Sequence, residues 1–219
     1  MVRDGLYYGI SLLAVAAVVW VGTHWISLTA IPVLLAVFFF WFFRDPERAV
    51  PTGPGLIVSP GDGKVEEAEW IETTVGSRFR VSIFLSVVDV HVNRAPIGGR
   101  VTLMEYREGQ FLNAMNPESA ILNEQTLIVI EDGAASVSFK QIAGLLARRI
   151  VCDLKTGDLV QRGQRMGMIK FGSRVDVLMP ADVELRVKPG DRVQGGKSIL
   201  GVLPGYDEGA TKKSSNGRG

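Results

Sequence analysis

Two residue types are scarce in these 219 residues: there is one cysteine, Cys152, and there are two histidines, His24 and His91. A single cysteine excludes an internal disulfide and a cysteine-built zinc cage. The histidines are far apart and show no metal spacing, so no metal site is expected. Ile150 and Val151 beside Cys152 point to a buried strand thiol. Net charge is scarce too. The 24 Lys and Arg against 23 Asp and Glu leave +1, which provides no field to draw in nucleic acid. No glycine-rich phosphate loop follows a strand and opens a helix.

The most informative absence is local. From Leu6 to Phe43 there is no Asp, Glu, Lys or Arg. The two apolar runs, Leu6 to Val21 and Ile31 to Phe43, each fall short of the roughly 20 residues that cross a bilayer upright. Together they fit a tight helical hairpin, with Gly22 to Thr29 as the turn and Pro32 near the start of the second helix. Arg3 precedes the first run, and Arg44 and Arg48 follow the second. The positive-inside rule then puts both ends on the cytoplasmic face of the cell (inner) membrane. Trp20, Trp25 and Trp41 fall near the interfaces, where aromatic rings are favoured. A cleaved signal peptide would need a small-residue cleavage site after one apolar stretch, and here a second stretch follows. Whether the hairpin spans or re-enters is open. His24 reads as a turn residue.

After Arg44-Asp45-Pro46 the pattern changes. Proline ends the helix and pushes its predecessor to extended geometry. Leu56-Ile57-Val58 reads as a strand, and Ser59-Pro60-Gly61-Asp62-Gly63 as a tight turn. Strands are expected through Val81 to Leu85, Gly98 to Tyr106, Thr126 to Ile130 and Ala135 to Phe139, with a hairpin turn at Glu131-Asp132-Gly133. Leu145 to Cys152 fits helix or strand equally. Gly157-Asp158-Leu159-Val160-Gln161-Arg162-Gly163 is echoed by Gly190-Asp191-Arg192-Val193-Gln194-Gly195-Gly196. Each continues into a further glycine and an apolar strand, a repeated strand-turn-strand unit of the kind found in barrel-sandwich folds. The fold class expected is mostly β, a β-rich α+β arrangement: a barrel-sandwich-like domain over 46–204 behind a membrane hairpin over 1–45. The polar tail 205–219 should be disordered.

Between the two half-repeats lies Met168 to Val177, two strand pieces joined at Gly172-Ser173. Glycine there tolerates a strained backbone and lets the serine hydroxyl approach its own carbonyl. A Ser-His-Asp hydrolase could be assembled from Ser173, His91 and Asp62, but Ser173 is not in a Gly-x-Ser-x-Gly elbow. Another use of these groups fits better. The hydroxyl attacks its own peptide bond to form an ester, a base removes the serine α-proton, and elimination followed by hydrolysis leaves a pyruvoyl group at a new N-terminus. Such a group forms a Schiff base with an amine and accepts electrons as an α-carboxylate leaves. Arg94, with its planar donor set, is a candidate for binding a phosphate.

The segments Phe42-Phe43-Arg44-Asp45-Pro46, Ser59-Pro60-Gly61-Asp62-Gly63, Asp89-Val90-His91-Val92-Asn93-Arg94-Ala95-Pro96, Gly109-Gln110-Phe111-Leu112-Asn113-Ala114, Asn123-Glu124 and Phe171-Gly172-Ser173-Arg174 together resemble the short form of the pyruvoyl-dependent phosphatidylserine decarboxylase family. The resemblance runs from Phe42 to Leu203. It implies a proenzyme that cuts itself between Gly172 and Ser173 into a β chain (1–172) and an α chain (173–219). Ser173 then becomes the pyruvoyl cofactor, and phosphatidylserine is converted to phosphatidylethanolamine and carbon dioxide. The family's Asp-His-Ser triad maps onto Asp62, His91 and Ser173. In longer forms two histidines stand three apart; here His91 occupies the first position and Arg94 the second. His91 is therefore read as the base, with phosphate binding as the alternative, and Arg94 as the phosphate ligand. The partners implied are the bilayer phospholipid and the two chains of one proenzyme, and homo-oligomerisation is open. Archaetidylserine, with different tails, would undergo the same reaction. The rival class is a membrane-tethered, non-catalytic carrier of the biotinyl or lipoyl type. It requires a lysine at a hairpin tip, and Lys170 lies in a strand pattern.

Overall fold

The computed structural model describes residues 2–74, 76–116, 118–133, 135–145, 150–170 and 172–205. The chain divides into two compact units, residues 1–47 and 48–219. The expected disordered tail falls outside the described residues from position 206 onward.

The first unit is a helical hairpin. Helix α1 spans Arg3–Thr23 and α2 spans Ile26–Phe42. The turn is much tighter than the sequence suggests. His24 takes a left-handed conformation (φ 53°) and donates its N–H to the Trp20 carbonyl at 2.9 Å, so only two residues separate the helices. Both helices therefore extend into the stretch expected to be loop, because apolar side chains there continue to favour helix. Pro32 consequently lies inside α2 rather than at its start. Small residues Gly9, Ala16 and Ala36 are buried, while most large apolar side chains face outward. With 21 residues, α1 is long and apolar enough to cross a membrane; α2 is shorter.

The second unit is mostly β. Its strands are β1 (Leu56–Val58), β2 (Gly63–Thr73), β3 (Gly76–Leu85), β4 (Val92–Arg94) and β5 (Gly99–Arg107). A short helix α3 (Ser119–Leu122) follows, then β6 (Gln125–Asp132), β7 (Ala135–Ile142), β8 (Ile150–Cys152), β9 (Leu159–Val160), β10 (Arg165–Ile169) and β11 (Ser173–Pro180). The last three are β12 (Glu184–Leu185), β13 (Arg192–Val193) and β14 (Ile199–Val202). An eight-stranded antiparallel sheet has the order β13-β2-β3-β11-β7-β6-β5-β9, and two three-stranded sheets have the orders β1-β14-β12 and β4-β10-β8.

Alternation sets the inner face. Phe79, Val81, Ile83 and Leu85 of β3, Val137 and Phe139 of β7, and Val175, Val177 and Met179 of β11 form one core. The period-2 pattern of β11 suggested a half-buried strand, yet Arg174 and Asp176 on its other face are 4% and 2% exposed. Their mutual charge pairing is what permits this burial. The two half-repeats form β9 and β13, the opposite edges of the large sheet. Their backbones match: φ is 101° at Gly157 and 96° at Gly190, then 76° at Gly163 and 73° at Gly196. Asp158 and Asp191 each accept the N–H three residues back, at 2.8 and 2.9 Å. Cys152 is half-buried on β8 rather than buried, and burial raises its thiol pKa.

Candidate active site

Sheet order brings distant parts of the chain to the start of β11. Ser173 pairs with Leu85 of β3, and Arg174 with Ile142 of β7. On the far side, β10 pairs with β4, and Ile169 donates its N–H to the His91 carbonyl at 3.3 Å. His91 is thereby fixed beneath the connection from β10 to β11.

The imidazole contacts the backbone N–H of Gly172, on the side of that residue away from Ser173. Gly172 N–H donates to His91 Nε2 at 3.3 Å, and His91 Nδ1 lies 2.9 Å from the Asp89 carbonyl oxygen. A carbonyl only accepts, so Nδ1 carries the proton and Nε2 presents its lone pair, the tautomer a general base needs. The Asp89 carboxylate holds its own loop in place, accepting Ser86 N–H at 2.9 Å, Ser86 Oγ–H at 2.6 Å and the Arg192 guanidinium at 2.9 Å.

Gly172 has φ +63°, the left-handed region that glycine occupies without strain. Ser173 is completely buried, and its Oγ has no hydrogen-bond partner among the described residues. The Gly172 carbonyl oxygen packs directly on Gly144. A methyl group at position 144 would overlap that oxygen and press on Ala114. Asn123 secures this wall: its Nδ2 donates to the carbonyls of Leu112 (2.9 Å) and Ala143 (2.7 Å), and its Oδ1 accepts Leu112 N–H (2.9 Å). The Gln110-Phe111-Leu112-Asn113-Ala114 motif and Asn123 thus have a common task, supporting the carbonyl side of the bond.

His91 reaches Gly172, the residue before Ser173; Asp62 and Arg94 have other neighbours. The turn from Ser59 to Gly63 is tied to β4, where Pro60 O accepts the N–H of Arg94 at 2.8 Å. The Asp62 carboxylate, however, bonds Arg48 and Gly195 N–H, each at 2.7 Å, rather than His91. Burial raises its pKa, opposed by the Gly195 N–H and by Arg48. Arg94 is 5% exposed and donates to the Gly163 carbonyl at 3.1 Å, with its aliphatic stem packed on Gly196. It braces both half-repeat turns from a mostly buried position. On the outer face Arg174 Nε donates to Asp176 at 2.7 Å and a terminal nitrogen to Glu67 at 2.8 Å, while Ser82 Oγ donates to Asp176 at 2.7 Å. Burial alone would lower the Arg174 pKa, but Asp176 and Glu67 outweigh it and raise it. A cleft of about 160 Å³ lies there, lined by Glu67, Ser82, Phe84, Met115 and Arg174. A larger one of about 510 Å³, at the Arg100 and Arg162 end of the sheet, touches none of the expected residues.

Residues that sequence reasoning left without a role are Gly144, whose meaning depends on contact with residue 172, and Gln141 with Asn93, bonded at 2.8 Å across the inner face. Asn93 and Asn123 stood inside quoted motifs, which was the available signal.

The profile of the phosphatidylserine decarboxylase family matches residues 35–201, which includes every residue of this site. A phosphatidylserine decarboxylase proenzyme of Solibacter usitatus is 48% identical over 203 residues, covering 91% of this chain and 95% of its own. That of Symbiobacterium thermophilum is 47% identical over 206 residues (92% and 95%), and that of Desulfotalea psychrophila 44% over 180 (80% and 84%). These matches leave the carrier-like alternative without support, and the chain belongs to the phosphatidylserine decarboxylase family.

Proposed function

We propose that this chain is a self-processing decarboxylase of phosphatidylserine that cuts itself between Gly172 and Ser173. The observation that carries the reading is the lone pair of His91 Nε2 directed at the Gly172 N–H, next in sequence to a buried serine hydroxyl that has no partner among the described residues. Ser173 Oγ adds to the Gly172 carbonyl carbon, the C–N bond breaks, and its nitrogen becomes a free amine. His91 is the group placed to move these protons and then to take the Ser173 α-proton. Loss of the Gly172 carboxylate leaves dehydroalanine, and one water replaces its nitrogen, released as ammonia, to give the pyruvoyl group. That group would supply an electron sink as the substrate carboxylate leaves. Asp89 orients His91 through its backbone carbonyl, and Asp62 ties Gly195 and Arg48 to the 59–63 turn.

The products would be a β chain (1–172) and an α chain (173–219). Membrane association suits a substrate whose acyl chains stay in the bilayer, because tethering raises the local concentration of the catalytic unit. Arg3, Arg44 and Arg48 favour the cytoplasmic face. Intact-mass measurement on the purified full-length chain tests the reading. Two chains joining at 172/173, the smaller with a pyruvoyl N-terminus, and release of carbon dioxide from phosphatidylserine are expected; a folded chain that stays whole would refute it.

A further inference from the structure

Two side-chain atoms on the inner face of the large sheet are buried and have no hydrogen-bond partner among the described residues: Ser173 Oγ and Gln141 Oε1. Both residues are 0% exposed. They belong to neighbouring strands. Because β11 and β7 are antiparallel with Val175 opposite Gln141 and Arg174 opposite Ile142, Ser173 and Gln141 are diagonal neighbours on one face. Diagonal neighbours stand about 7–8 Å apart, within reach of a long side chain. One atom belongs to a hydroxyl that can donate; the other is an amide oxygen that only accepts.

The orientation of the Gln141 amide follows from its partners. Asn93 Nδ2 donates to the Pro60 carbonyl at 3.4 Å, so Asn93 turns its oxygen toward Gln141. That oxygen accepts Gln141 Nε2–H at 2.8 Å, which leaves Gln141 Oε1 on the far side of the amide. Pro60 itself is fixed by the N–H of Arg94. The relay Pro60–Asn93–Gln141 therefore holds an acceptor on the face where the nucleophile needs one.

We propose that Gln141 is a positioning residue for self-cleavage: its Oε1 accepts a hydrogen bond relayed from the Ser173 hydroxyl through one water, and so aims an Oγ lone pair at the Gly172 carbonyl carbon. The proposal rests on the self-cleavage reading. In the step it assists, an Oγ–C bond forms, the Gly172 C–Ser173 N bond breaks, and the hydroxyl proton ends on the freed nitrogen. A peptide becomes an ester, with no atom gained or lost.

The test uses the full-length chain with Gln141→Leu and Gln141→Glu, reading the cut fraction against time by intact mass and the folded fraction by circular dichroism. Folded Gln141→Leu should cut about tenfold slower or more, the scale of a lost orienting contact. Hydroxylamine, which cleaves esters but not peptides, should not restore the cut, because the ester has not formed. Gln141→Glu supplies the distinguishing readout. Protonated, the carboxyl copies the amide, donating to Asn93 Oδ1 and offering its carbonyl oxygen to Ser173. Ionised, it opposes Asn93 Oδ1. Its cutting should therefore be near normal at low pH and fall as pH rises, a fall that wild type lacks. A folded Gln141→Leu that cuts at the wild-type rate, rescue by hydroxylamine, or a Gln141→Glu profile parallel to wild type would each overturn the proposal. If Gln141→Leu fails to fold, the Gln141→Glu profile decides alone. An uncut wild type would overturn the parent reading and this inference with it.

Discussion

On the outer face of β11, Arg174 and Asp176 are almost wholly buried and bond each other, Glu67 and Ser82. One residue earlier, on the inner face, Ser173 is as deeply buried, and its hydroxyl has no partner among the described residues. An unpaired buried hydroxyl costs about 1–3 kcal/mol, so the same strand carries a polar group that stabilises nothing next to a network that does. The comparison separates two kinds of constraint. Outer-face residues hold the sheet together, whereas under the proposed function the inner-face residues at the strand's start serve the chemistry. Substitutions on one face should therefore change cutting, and on the other stability.

The largest effect is expected from Ser173→Ala. It should give a single 23.8 kDa chain without decarboxylase activity, seen by denaturing gel and lipid assay. Since the hydroxyl has no partner to lose among the described residues, the melting temperature should stay equal or rise. A clear drop would show that Ser173 is structurally bonded and would erase the contrast between the faces. His91→Ala comes next. Loss of a general base slows a reaction by about 10²–10⁴-fold, so cutting should be followed over days rather than minutes. Wild-type cutting kinetics would remove His91 from the site.

Gly144→Ala probes the same bond from its carbonyl side. The added methyl would displace the Gly172 oxygen, and a misplacement near 1 Å costs on the order of 10²-fold in rate. Cutting should slow while the fold, read by circular dichroism, persists. Unchanged cutting would mean that the carbonyl need not rest where Gly144 holds it.

Much of the fold was legible in the sequence because its signals are local. The alternation of β3, β7 and β11 named the core, and the two Gly-Asp half-repeats announced turns whose φ values agree within a few degrees. The hairpin was legible as helices but not in the length of its turn, since residues 22–29 share the charge-free composition of the helices around them. At the site, the sequence singled out Gly172, Ser173 and His91, and the structure sets His91 against the Gly172 N–H. Asp62 and Arg94 carried the right chemistry, but their partners Arg48, Gly195 and Gly163 come from distant segments. Gly144 and Gln141 were silent for the same reason. Their meaning arises only when β11 inserts between β3 and β7, a pairing no local pattern encodes.

Asp176→Leu tests the outer face. It strips Arg174 Nε and Ser82 Oγ of their acceptor, and breaking one partner of a buried pair costs about 3–5 kcal/mol. A clear fall in melting temperature is expected, with molecules that remain folded still cutting. Loss of cutting without loss of stability would place the network in the chemistry and invert the comparison.

The smallest effect concerns Lys140, which stands opposite Asp176 on that face. Burial lowers its pKa from the ordinary 10.5; Asp176 opposes the shift, and Arg107, Arg80 and Arg174 add to it. A lysine with a lowered folded-state pKa destabilises the fold while protonated. The penalty is complete below the folded pKa, diminishes as pH rises through it, and is gone once the unfolded lysine has also lost its proton, above 10.5. Lys140→Met should thus raise the melting temperature at neutral pH, and the gain over wild type should shrink toward pH 10.5. A gain that is constant with pH would assign the effect to packing of the methionine. A loss at neutral pH would show that the Asp176 attraction outweighs burial, making Lys140 a further paired charge of the outer network rather than a strained member of it.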